Sequence, residues 1–414
     1  MMLLVAPRIC APAFVVASLL SPGNPLAAET PIAAASIEGF VHVPSGRAEV
    51  GCLPPLVVGK SLLETTLSAL DEVSLDPDLV VVLTAAPLSC SSIYYVPVKN
   101  DVRGIGYQRT HESELFDDAP GKRLEGIAFL NDLPYWLQES EELKSAFLHE
   151  IGHRWLTRVH ARVGEEDVSL TGRDDEHWSY FLDPGVSPLE GNLWSEEDPP
   201  VASAPRYPLH YSPLDLYLMG ALEPDEVPPL RLLEPAALRG DLLDCNGRRL
   251  SPASPPQRCE PLSVPGTLRT ITVADVIAAE GAREPAAADA RRSFSVAFLV
   301  VDEKEPALTS ENCGSFSRLT AELLEVFSSA TDGHLSLENV VSEGASCATL
   351  DETSTSPTGE TSTQGCAISV HAGGRGDSSR FGLLLLVGMG IVGLRRPREV
   401  FFRRVAELAR VFAA

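Results

Sequence analysis

The sequence of 414 residues predicts an α+β fold: strands and helices stapled by disulfides, with one long helix that carries His149-Glu150-Ile151-Gly152-His153. Three observations lead there. Apolar runs of strand length stand at residues 79–84 (LVVVLT), 126–131 (GIAFLN) and 293–301 (SFSVAFLVV), separated by stretches with helical spacing. The HExxH pattern lies inside such a stretch, shortly after the second run. Cysteines of the body fall into sequence-neighbour pairs.

Taken in order, residues 1–28 read as a signal peptide. Arg8 precedes an apolar run that ends in a Ser-Pro-Gly break and the small residues Ala27 and Ala28. Residues 29–350 form the body, expected to be one domain. Alternation at 37–43 predicts a strand, and Leu62, Leu63, Leu67 and Leu70 predict a helix over 60–74. The run 79–84 is a buried strand, and 92–98 is a strand that Pro97 pushes toward an edge. After the run at 126–131, residues 139–158 form a helix with Leu143, Phe147, Leu148, Ile151 and Leu156 on its apolar positions. Farther on, 270–279 reads as strand into helix, 293–301 as a strand, and 317–329 as an amphipathic helix.

Residues 351–380 are a Ser/Thr/Gly-rich linker whose composition buries no core. An apolar segment at 381–394 follows, short against the ~20 residues of a spanning helix, and a basic tail at 395–414 closes the chain. A cysteine (Cys366), a spacer, a short apolar segment and an arginine cluster resemble the myxobacterial-type C-terminal sorting signal, although Cys366 stands without the usual second cysteine. The resemblance implies association with a membrane or cell surface through this end; a plain membrane anchor is the alternative.

The formal charge of −24 argues against a nucleic-acid partner, because phosphate binding needs a basic face. Six cysteines remain in the body, and neighbours pair as Cys52–Cys90, Cys245–Cys259 and Cys313–Cys347. None has CxxC spacing, so disulfides in an oxidising compartment are favoured over a thiolate metal site.

The chemistry is concentrated at FLHEIGHRW. On a helix His149 and His153 lie one turn apart on one face and reach one ion. Glu150, one step along, is placed to hold a water and take its proton. The pattern resembles the zincin metallopeptidases, over roughly residues 37–220. The resemblance implies a mixed sheet ending in an edge strand that pairs with the substrate backbone, followed by the active-site helix. Residues 126–131 are expected to be that edge. The combination of HExGHRW, HWS and SPLDLYLMG also resembles exported zincin-like proteins of deltaproteobacteria, over residues 149–220.

The third ligand is open among four residues. The metzincin continuation fails, since Leu156 and Val159 stand where glycine and histidine belong. His160 would sit two turns from His153 on a continuing helix, ~10 Å away. Glu190 and Asp215 offer carboxylates. His177, in a polar loop behind Asp174, Asp175 and Glu176, is the preferred ligand. Tyr211, with Tyr217 as the alternative, is expected to donate to a tetrahedral oxyanion, and Met219 to form a floor beneath the ion as in a Met-turn.

These readings converge on an exported zinc endopeptidase at the cell surface or outer envelope. His149, His153 and His177 would hold Zn²⁺, Glu150 would be the general base, and a protein or peptide would be the substrate. The acidic body suggests a cleft for basic or neutral peptides. A non-catalytic, surface-anchored metal-binding or adhesion protein is the alternative.

Overall fold

The computed structural model describes residues 34–44, 55–86, 93–107, 123–236, 242–302, 308–341 and 344–347, all within the unit Met1–Ser356. The expected leader at 1–28, the Cys52–Cys90 pair, the linker, the apolar segment and the basic tail lie outside the described residues.

Strands β1 (Ala35–Ile37) and β2 (Phe40–Val43) form a hairpin, followed by α1 (Pro55–Glu72), β3 (Leu79–Thr84), β4 (Tyr94–Pro97) and β5 (Gly126–Asp132). A single turn, α2 (Leu133–Trp136), leads into α3 (Ser140–Gly152), which carries the HExxH residues. The hairpin β6 (His160–Val163) and β7 (Glu166–Ser169) follows, then β8 (Leu182–Asp183), β9 (Leu193–Trp194) and β10 (Val201–Ser203). Beyond α4 (Pro213–Met219) come β11 (Leu230–Pro235), β12 (Leu262–Ser263), β13 (Gly266–Ile271) and α5 (Val273–Glu280). The chain then returns to the main sheet through β14 (Ser293–Val301), α6 (Ser310–Ala330) and β15 (Ser336–Asn339).

The main sheet is mixed, in the order β1-β2-β14-β3-β5-β4, with β15 also on β14. Strands β2, β14, β3 and β5 run parallel, and β4 runs antiparallel to β5. The apolar runs are continuous because both faces are covered. Leu79, Val81 and Leu83 point to the side of α3 and α6, whereas Val80 and Val82 meet Leu67, Ala69 and Leu70 of α1. Smaller sheets, β8-β11-β13 and β9-β10-β12, feed Leu182, Trp194, Ala202 and Leu232 into the same core as α3.

Two expectations change. The edge strand beside α3 is β4, not the run 126–131, which lies inside the sheet between β3 and β4. An apolar run of that strength marks burial on both faces and does not report edge position. Gly126 leaves room there for Tyr95 of β4, since a Cβ would lie 1.7 Å from the Tyr95 hydroxyl and the ring would have to move. The helix expected to reach Arg158 stops at Gly152, with His153 as its C-cap. Beyond it Arg154 pairs with Glu125 at 2.6 Å, Trp155 packs edge-on against Phe294, and Thr157 takes a φ of 70°. These tertiary contacts outweigh the apolar spacing that would have continued the helix. Cys245–Cys259 and Cys313–Cys347 are disulfides, as their neighbour spacing suggests. Among the described residues no helix is long and apolar enough to cross a membrane.

Candidate metal centre

His149 and His153, at i and i+4, come from the last turn and cap of α3, and their Nε2 atoms lie 3.2 Å apart. His177, from the loop between β7 and β8, brings its Nε2 to 3.1 Å from that of His149. The three ligand nitrogens all lie within 4.8 Å of one another, so the three histidines are positioned to bind a metal ion. Each outer ring is oriented by its other nitrogen. His149 Nδ1–H donates to the Pro188 carbonyl at 2.8 Å, and His177 Nδ1–H to the Arg173 carbonyl at 3.0 Å. With Nδ1 as the donor, the Nε2 lone pairs converge.

Burial keeps the rings neutral. It lowers the pKa of His149 against the pull of Glu190, and it takes His153 well below the ordinary value, with His149 and His177 adding repulsion. His177 is lowered to about 4, by burial first and then by His149 and Arg173. Neutral imidazole is the ligand form. Two lone pairs facing at hydrogen-bond distance, with no proton to share, repel unless a cation stands between them.

Glu150 faces the same space. It is 3% exposed, its Oε2 has no hydrogen-bond partner among the described residues, and its Oε1 lies 4.0 Å from His149 Nε2. Burial, reinforced by Glu176 and opposed by Arg173, pushes its pKa up to about 8. The histidines and Glu150 line a cavity of about 450 Å³, together with Tyr94 and Tyr95 of the edge strand, Trp136, Tyr207 and Arg258.

The loop that bears His177 is tied to α3 and α4 at several points. Thr157 Oγ1 donates to the Glu176 carbonyl, and Arg158 bridges the His153 carbonyl at 3.1 Å and the Glu176 carboxylate at 2.8 Å. On the other side Trp178 Nε1 donates to Asp215 Oδ1 at 2.8 Å. Asp215 also accepts from the Ser212 backbone N–H and so closes the capping box of α4. The three separated segments HExGHRW, HWS and SPLDLYLMG are therefore one packed unit.

Several sequence candidates are displaced by this arrangement. Tyr211 is fully buried and its hydroxyl donates to the Leu148 carbonyl at 2.6 Å, so it braces α3 and is not among the residues that line the cavity, as an oxyanion donor would be. Asp215 is committed to Trp178 and the α4 cap. Glu190 lines the cavity but pairs with Arg173 at 3.2 Å. His160 opens β6, exposed, with its Nδ1 3.3 Å from Glu280. Met219 is buried in α4 and is not among the residues that line the cavity. Sequence reasoning missed Arg158, Arg173 and Arg258, because a charged residue carries no periodic signal that separates a cleft from a solvated face.

The chain matches no protein-family model, no curated protein and no solved structure.

Proposed function

We propose that this protein is an exported zinc endopeptidase of zincin type. The observation that carries the proposal is the pairing of a three-histidine cluster with a buried carboxyl oxygen of Glu150, unpartnered among the described residues, in one open cavity. A structural metal site has no need of such a group.

The donor set suits zinc. Two nitrogens sharing a tetrahedral zinc at ordinary bond lengths stand about 3.3 Å apart, and the observed separations are 3.1 and 3.2 Å. Three protein ligands leave a fourth position, which is the catalytic rather than the structural pattern. When bound, zinc supplies Lewis acidity toward a water and a substrate carbonyl, and its charge favours the ionised form of Glu150. In this reading Glu150 Oε2 accepts the water's proton and returns it to the leaving amine. The Pro188 and Arg173 carbonyls hold the two outer imidazoles in the ligating tautomer. Tyr94 and Tyr95 put the exposed edge of the sheet along the cavity, which supports an extended peptide as substrate. The two disulfides support an oxidising compartment, in keeping with the signal peptide and sorting signal read from the two ends.

The test is metal content and casein hydrolysis of the purified protein. One zinc per chain is expected in wild type and in His160→Ala, with loss of zinc in His177→Ala. Glu150→Gln should keep zinc and lose about 10²–10⁴-fold in kcat. A wild-type protein that binds no zinc, or that hydrolyses no peptide when loaded, would sink the proposal.

A further inference from the structure

Three arginines and five carboxylates line the cavity, and most are already matched. Arg158 pairs with Glu176 at 2.8 Å, and Arg173 with Glu190 at 3.2 Å and Asp174 at 4.0 Å. Glu142 accepts from the hydroxyls of Tyr135 and Tyr207. Arg258 differs. Its backbone N–H is bonded to the Pro256 carbonyl, but among the described residues its guanidinium has no hydrogen bond and no ion pair.

The backbone that carries it is anchored on both sides. On one side Gln257, 4% exposed, donates through its backbone N–H to Asn192 Oδ1 at 2.7 Å and accepts from the Tyr180 hydroxyl at 2.9 Å. On the other side Cys259 is fixed by its disulfide to Cys245. Partial burial lowers the Arg258 pKa, with Glu190 opposing and Arg173 adding to the effect. A backbone anchored on both sides thus presents a charged, planar fork of donors to the cavity that holds the histidine cluster. The group that best satisfies such a fork is a carboxylate, which takes two parallel N–H bonds.

We infer that Arg258 is a specificity residue that receives a carboxylate of the peptide substrate, an inference that rests on the peptidase reading. Local pairing, not the chain's net negative charge, then sets the preference of the cleft. The carboxylate has two possible sources, an acidic side chain near the cleaved bond or the C-terminus of a short peptide.

The experiment uses the full zinc-loaded chain and a set of otherwise identical quenched peptides. Glu, Gln or Lys occupies each position around the cleaved bond in turn, and every peptide is made as free acid and as amide. In wild type, kcat/KM should favour Glu over Gln at one position by about ten- to a hundredfold. If the C-terminus is the source, the same factor appears between acid and amide. The ratio should fall close to one in Arg258→Gln, persist in part in Arg258→Lys, and turn toward Lys peptides in Arg258→Glu. Zinc content and thermal midpoint of each variant show that it is folded, and the Lys variant carries the comparison if the others are not. Cleavage without a carboxylate preference, or a preference untouched by Arg258→Gln, overturns the inference and leaves the peptidase reading intact. Failure of the loaded wild type to cleave any peptide overturns the reading and the inference together.

Discussion

Gly152, between the two histidines of α3, shows how closely this site is packed. A Cβ there would lie 2.4 Å from Leu189 Cδ1 and 3.3 Å from the Tyr211 ring, and both neighbours are buried. Leu189 follows Pro188, whose carbonyl orients His149. Gly152→Ala is expected to cost about 1–3 kcal/mol in denaturant unfolding and to loosen metal retention in a chelator titration. Asp215 teaches a related lesson. Its sequence context allowed it to be a ligand, yet it touches the site through neighbours of the histidine cluster, Trp178 beside His177 and Ser187 beside Pro188. Asp215→Asn should therefore weaken metal affinity by about 10–100-fold without removing a ligand. Unaltered affinity in a chelator competition would show that the Trp178 link does not position His177. Tyr211 belongs with it, since its hydroxyl bonds the α3 backbone one residue before His149.

At the scale of elements, the buried strands of the main sheet were legible, and their neighbours and the short strands of the smaller sheets were not. Runs of β-branched and aliphatic residues predict β3 and β14 with the bounds observed, because burial on both faces demands them. Their alignment is pinned by a polar residue just before β3. Asp78 is 1% exposed and accepts from the Ser295 N–H and hydroxyl, Arg123 and Arg291. Burial alone would raise its pKa, but the Ser295, Arg123 and Arg291 contacts together hold it below the ordinary 3.8. A folded pKa below the unfolded one means that the ionised group stabilises the fold above the unfolded value. That contribution is lost as the pH falls through the lower, folded pKa. Denaturant midpoints measured from pH 5 downward should thus fall more steeply in wild type below about pH 4 than in Asp78→Asn, which is less stable at neutral pH. Curves that stay parallel would show that Asp78 does not carry this dependence.

For the molecule as a whole, the Pro-rich second half is not a separate appendage but part of the wall around the site. Tyr211, Leu214, Leu218 and Leu232 join the core that backs α3, and the loop closed by Cys245–Cys259 delivers Arg258 to the cavity. The second disulfide spans 34 residues and ties α6, which packs on α3, to the chain beyond β15. Removing it as Cys313→Ala with Cys347→Ala should cost about 2–4 kcal/mol, read as a lower thermal midpoint that reductant no longer shifts at this bond. The sequence by itself determined the α+β class, the buried strands, both observed disulfides and the helix with His149, Glu150 and His153, because each is a local pattern whose spacing matches one backbone period or one chain neighbour. Only the tertiary structure decided that β4 is the sheet edge, that α3 stops at Gly152, that His177 meets the two helix histidines while Asp215 and Tyr211 brace them, and that Arg258 enters the cavity. Those outcomes depend on contacts between segments tens of residues apart, where packing and hydrogen-bond pairing outweigh the local pattern.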